Sequence, residues 1–164
     1  MSKTRENLMA AFAGESQANR KYLAFAKKAD QEGFPRTARL FRAAAEAETI
    51  HAHNHLRALD AIKSTKENLQ EAISGETHEF TAMYPQMIAE AEAEGNKRAV
   101  QTFRYANEVE KTHASLYQQA LEHLDDQTLV DVHICPVCGY TVEGEPPEAC
   151  PVCRAKKKSF LKVD

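Results

Sequence analysis

Over the first 124 residues, apolar Ala and Leu alternate with Glu, Lys, Gln and Arg in the manner of helices, and β-branched residues are sparse. Proline occurs there only at positions 35 and 85. The breaks fall at the punctuation. Gly33-Phe34-Pro35 sets a glycine past one helix end and a proline just inside the next start, and Gly95-Asn96 marks another stop. Between them Ser64-Thr65-Lys66-Glu67 has the Ser-x-x-Glu spacing of a capping box, which predicts a helix opening near residue 65. The pattern predicts four helices over 4–31, 35–63, 65–94 and 96–124. Each of about 28 residues spans roughly 40 Å, and short loops make neighbours antiparallel. The expected fold is all-α, a four-helix bundle.

The halves of this region repeat. At an offset of 62, Tyr22 meets Tyr84, Glu32-Gly33 meets Glu94-Gly95, Phe41-Arg42 meets Phe103-Arg104, Glu48 meets Glu110 and His51-Ala52 meets His113-Ala114. Upstream of the tyrosines the best offset becomes 61, pairing Gly14-Glu15-Ser16 with Gly75-Glu76-Thr77. The third helix therefore holds one extra residue between Glu76 and Tyr84. An inserted residue inside a helix is what a π-bulge requires, and Pro85 just beyond should bend the helix further.

Composition then narrows the function. The 164 residues carry 21 Lys plus Arg against 24 Asp plus Glu, a formal net charge of -3. No basic field is present to hold a phosphate backbone, so nucleic acid is not an expected partner. No signal peptide or run of about 18 apolar residues is evident, so the expectation is a cytoplasmic chain without a membrane partner. All four cysteines lie between 135 and 153 as two Cys-x-x-Cys pairs, and thiols in a reducing compartment are more often metal ligands than disulfides. Two domains are expected: the helical region with its linker over 1–132, and a small metal module over 133–164.

The chemistry centres on Glu48-x-x-His51 and Glu110-x-x-His113. Residues three apart on a helix lie about 60° apart, so each motif offers an oxygen and a nitrogen donor from one face. Glu15 and Glu76 hold matching positions in the other two helices, and Glu79 adds a fifth carboxylate. One Glu from each of two helices plus Glu-x-x-His from the other two is the donor pattern of ferritin-like di-iron proteins. Five carboxylates facing a bundle core would repel one another and pay heavily for desolvation unless cations neutralised them. Mixed carboxylate and imidazole donors suit iron first, with manganese a remaining alternative. His53 lies about 200° around the helix from His51 and faces elsewhere, while His55 is a candidate second-sphere group. His78, His123 and His133 read as surface or junction residues. Tyr22 and Tyr84 are candidate hydrogen-bond donors to ligating carboxylates, or ordinary packing residues.

Cys135-Pro136-Val137-Cys138 and Cys150-Pro151-Val152-Cys153 supply four thiolates at tetrahedral spacing, suited to iron or zinc. A structural zinc ribbon has the same spacing. Redox-active iron is favoured by a di-metal carboxylate site in the same chain.

Taken with Phe12-Ala13-Gly14-Glu15-Ser16-Gln17-Ala18, Gly75-Glu76-Thr77-His78-Glu79 and Met83-Tyr84-Pro85, these motifs resemble the rubrerythrin family over nearly the whole chain. The resemblance implies a ferritin-like four-helix di-iron bundle joined to a C-terminal rubredoxin-like Fe(Cys)4 domain, held by Cys135, Cys138, Cys150 and Cys153. It implies a cytoplasmic peroxidase in oxidative-stress defence that reduces hydrogen peroxide to water, with electrons from a separate reductase or rubredoxin, and a homodimer. By the same resemblance Glu48 and Glu110 bridge the irons, Glu15 serves the first, and Glu76 with His113 serves the second. Glu79 and His51 alternate on the first iron as its oxidation state changes. The link between His51 and Glu76 is shorter than in the family. A ferroxidase or iron-storing protein is the alternative activity, and a zinc-filled binding module a third reading.

Overall fold

The computed structural model describes residues 2–163. Two compact units divide the chain, Met1–Lys63 and Ser64–Asp164. The first is a helical hairpin, α1 (Lys3–Gln31) and α2 (Pro35–Ala58). The second begins with α3 (Thr65–His78), continues through a π-helical turn (Glu79–Met83) into α4 (Tyr84–Ala93), and returns along α5 (Lys97–Glu122). A three-stranded antiparallel sheet follows, built from β1 (Val132–Ile134), β2 (Thr141–Glu143) and β3 (Leu161–Val163) in the order β2-β1-β3. No described helix is long and apolar enough to cross a membrane.

Helix ends follow local chemistry. Ser64 caps α3 in a full capping box with Glu67, and the Asn96 side chain accepts the Ala99 N–H at 3.1 Å to start α5. Three helices stop in the same way. Phe34 N–H reaches back to Ala29 O, Ala61 N–H to Leu56 O and Asn96 N–H to Ala91 O, each after a residue in the left-handed region. Glycine fills that position at 33 and 95. At the end of α2 it is Asp60, at φ 52°, so the helix closes at Ala58, short of the residue 63 expected from the pattern. Aspartate tolerates this conformation better than most side chains, which is why no glycine announces the stop.

In the first unit the helices meet through alanines. Ala26 and Ala29 of α1 and Ala38, Ala45 and Ala52 of α2 are all buried. The last three and Leu59 recur every seven residues, close to two helical turns, so one small-residue seam runs down the hairpin. Asn19 Nδ2 crosses it to donate to Ala45 O at 2.7 Å and to Thr49 Oγ1 at 2.8 Å.

The repeat is a repeat of contacts as well as letters. Tyr22 stacks against Phe41 with ring centres 6.2 Å apart, and their counterparts Tyr84 and Phe103 are also 6.2 Å apart. Arg42 pairs with Asp30, and Arg104 with Glu92, across equivalent turns. The π turn lies where the offset changes from 61 to 62: the Tyr84 N–H bonds to Glu79 O, five residues back, and absorbs the extra residue.

Candidate metal centres

Each unit assembles half of the carboxylate and histidine donors. In the first, Glu15 of α1 meets Glu48 and His51 of α2; in the second, Glu76 of α3 meets Glu110 and His113 of α5. Within each triad the donor atoms lie within 4.8 Å of one another. The geometries nearly superimpose. His51 Nδ1 is 2.9 Å from Glu48 and 3.8 Å from Glu15, while His113 Nδ1 is 2.8 Å from Glu110 and 3.8 Å from Glu76. Environment separates them: the His51 side chain is 52% exposed and that of His113 26%.

Burial holds the Glu76 carboxyl above the usual range, with the adjacent Glu110 charge and a shared hydrogen bond to it adding to the effect. Glu79, at the first position of the π turn, is likewise pushed up, by burial and then by Glu76; it lies outside the compact triad. The Tyr84 phenol is raised by burial first and then by Glu110, Glu79 and Glu76, so it stands as a neutral O–H donor among three carboxylates. Raised carboxyls and clustered donors are what a site built around positive charge shows when only protein charges act.

Of the other histidines, His53 and His78 are exposed, His55 is half-buried, and His133 Nδ1 bonds Gly144 O at 2.8 Å inside the small domain. Sequence reasoning missed one contact at this site: the Nε2 of His113 meets Thr141 Oγ1 at 3.0 Å. A threonine in a short strand 28 residues downstream gives no signal in the letters.

The four cysteines converge from two matching knuckles. Cys135 N–H bonds Tyr140 O and Gly139 N–H bonds Cys135 O; Cys150 N–H bonds Ala155 O and Arg154 N–H bonds Cys150 O. Gly139 and Arg154, fifteen residues apart like the cysteines, both take positive φ, 88° and 67°. Sγ of Cys135 is 3.5 Å from that of Cys153, and Cys138 is 3.5 Å from Cys150. A disulfide needs about 2.05 Å, whereas the edge of a tetrahedron with metal–sulfur bonds of about 2.3 Å is about 3.8 Å. The spacing therefore fits a tetrahedral ion. Burial pushes the Cys135 thiol up, but N–H groups of Val137 and Cys138 outweigh it and leave it below its usual value; Cys138 and Cys153 are raised, burial being the largest cause. Thiols so arranged become four thiolates together only around a cation.

Carboxylate–imidazole triads on paired helices, beside a four-thiolate knuckle domain, define an iron-binding redox protein with a di-iron and a mononuclear centre. Comparison with known proteins gives the family. Residues 6–121 match the family model described as Rubrerythrin, and residues 133–161 match its rubredoxin-like domain. Rubrerythrin-2 of Clostridium acetobutylicum is 39% identical over 96% of this chain and 95% of its own length, and nigerythrin of Nitratidesulfovibrio vulgaris is 39% identical over 96% and 85%. A solved structure of nigerythrin in its fully reduced, all-ferrous state aligns with a TM-score of 0.62 at 37% identity, covering 99% of this chain and 88% of that one. The chain belongs to the rubrerythrin family, with its ferritin-like di-iron domain and C-terminal rubredoxin-like domain.

Proposed function

We propose that this protein is a cytoplasmic peroxidase that reduces hydrogen peroxide to water, in oxidative-stress defence and as a homodimer. Its electrons come from an external reductase or rubredoxin through the iron held by Cys135, Cys138, Cys150 and Cys153. The observation that carries this reading is the duplicated Glu-Glu-His triad in one chain with a four-thiolate site. Reduction of peroxide takes two electrons and two protons, and paired irons supply two one-electron oxidations at adjacent centres.

The chain's own groups do the rest. Glu48 and Glu110 would hold both metal ions, with Glu15 on the first and Glu76 with His113 on the second. Glu79 and His51 would alternate as donors to the first ion, a role supported by the exposure of the His51 ring and by the position of Glu79 on an irregular turn. Tyr84, a neutral phenol close to Glu110, Glu79 and Glu76, would donate a hydrogen bond to one of these carboxylates. Residues 1–132 form the catalytic domain and 133–164 the electron-delivery domain.

Anaerobic stopped-flow mixing of the fully reduced protein with peroxide tests the proposal. Both chromophores should oxidise within turnover time, with two electrons consumed per peroxide. Reduced irons inert to peroxide but rapidly oxidised by oxygen, with many irons taken up per chain, would point instead to iron storage.

A further inference from the structure

The His113 ring is fixed from both sides. Its Nδ1 faces Glu110 and Glu76, while its Nε2 is 3.0 Å from the Thr141 hydroxyl, which itself donates to Gly139 O at 3.0 Å. A hydroxyl has one proton. With that proton committed to Gly139, Thr141 can offer His113 only a lone pair, so Nε2 must carry the hydrogen.

We infer that Thr141 is a positioning residue for the second metal half-site: by accepting from Nε2–H it leaves Nδ1 as the nitrogen that would hold an ion together with Glu76 and Glu110, and it joins that ligand to the cysteine knuckle. The placement of the hydroxyl is set by the knuckle. Gly139 donates its N–H to Cys135 O at 2.8 Å, and β1 pairs Ile134 with Thr141. The knuckle in turn rests on α5, where a Cβ on Gly139 would sit 3.7 Å from Val109 Cγ1, one residue before Glu110. Folding of the thiolate site therefore sets the angle of a carboxylate-site ligand.

This explains how a duplicated chain acquires inequivalent halves. No cysteine module follows the first repeat, and among the described residues no hydroxyl equivalent to Thr141 bonds His51, whose ring is half exposed. One imidazole is held and its counterpart is left able to turn. Resting on the peroxidase reading, the same two hydrogen bonds also form a path between Cys138 and His113. With irons bound, each passage would take one electron from the four-cysteine iron, ferrous to ferric, and give it to one ferric ion at the carboxylate site, which would become ferrous; no bond would break.

Thr141→Val keeps the side-chain shape and removes the hydroxyl, while Thr141→Ser keeps the hydroxyl. In full-length, fully zinc-loaded, ¹⁵N-histidine-labelled protein, the His113 Nε2–H should exchange slowly with solvent in the parent and in Thr141→Ser, and be lost to fast exchange in Thr141→Val. In the iron protein, transfer from the reduced four-cysteine centre should slow about 10-fold in Thr141→Val, the lower end for loss of a ligand's outer partner, with that centre's potential unchanged. A protected Nε2–H in Thr141→Val overturns the positioning role, and an unchanged transfer rate overturns the path. Failure of peroxide to oxidise the parent would sink the peroxidase reading while leaving the zinc experiment decisive for Thr141.

Discussion

Glu110 and His113 face each other one turn apart on α5, with Oε2 2.8 Å from Nδ1, and the pair recurs 62 residues earlier as Glu48 and His51 at 2.9 Å. A contact so repeated ties both halves of the chain to one chemical purpose, and its charges make several outcomes measurable.

The first concerns pH and metal removal. Glu76 and Glu79 titrate above their ordinary value of 4.5, burial being the main cause and neighbouring carboxylates the next. Acids raised on folding give stability that is complete below the unfolded value and is lost as pH rises through the folded one. The metal-free protein should therefore lose this contribution as pH rises above the ordinary carboxyl range. Ferrous or zinc ions should restore stability at pH 7. Thermal melts with and without metal check this, with Glu76→Gln removing most of the pH-dependent difference.

Glu110→Gln should act in opposite directions on metal binding and on the metal-free fold. Relief of repulsion with Glu76 should raise the melting temperature of the metal-free protein by about 2–4 °C, the shift that ~1 kcal/mol produces in a chain of this size. The iron content of the carboxylate centre should fall. Metal analysis alongside calorimetry separates the two effects.

Arg154 occupies in the second knuckle the left-handed position that Gly139 occupies in the first. An L side chain there costs about 1–2 kcal/mol. Arg154→Gly should make the rubredoxin-like domain harder to strip of metal by chelators, and Gly139→Ala should make it easier. Chelator-induced bleaching of the four-cysteine chromophore gives both readings.

Deleting Thr81 from the π turn should restore continuous α-helix from α3 into α4. Residues on either side would then keep the register of the first repeat, where Glu15 and Tyr22 lie seven apart in unbroken α1, so Glu76 should still share a face with Tyr84 while Glu79 loses its place at the start of the π turn. Helicity by circular dichroism and iron at the carboxylate centre should both hold, while peroxide reactivity drops with the displacement of Glu79.

Much of this was legible in the letters. The capping box at Ser64, the glycine stops at 33 and 95, the two Glu-x-x-His motifs and the paired knuckles each rest on local rules, in which a few neighbouring residues satisfy backbone groups or present donors. The π turn was readable because a duplicated chain supplies its own reference register. The stop at Asp60 was not, since aspartate is only one of several residues that can enter the left-handed region.

The sequence by itself determined the helices, the internal duplication and which donor types are present, because period, spacing and caps act within a few turns of chain. Only the tertiary structure decided that Glu76 and Glu79 are held above their usual range, that Tyr84 lies close to both and to Glu110, and that Thr141 reaches His113. Those depend on burial and on contacts between segments far apart in the chain, and distance through space is not written in the order of residues.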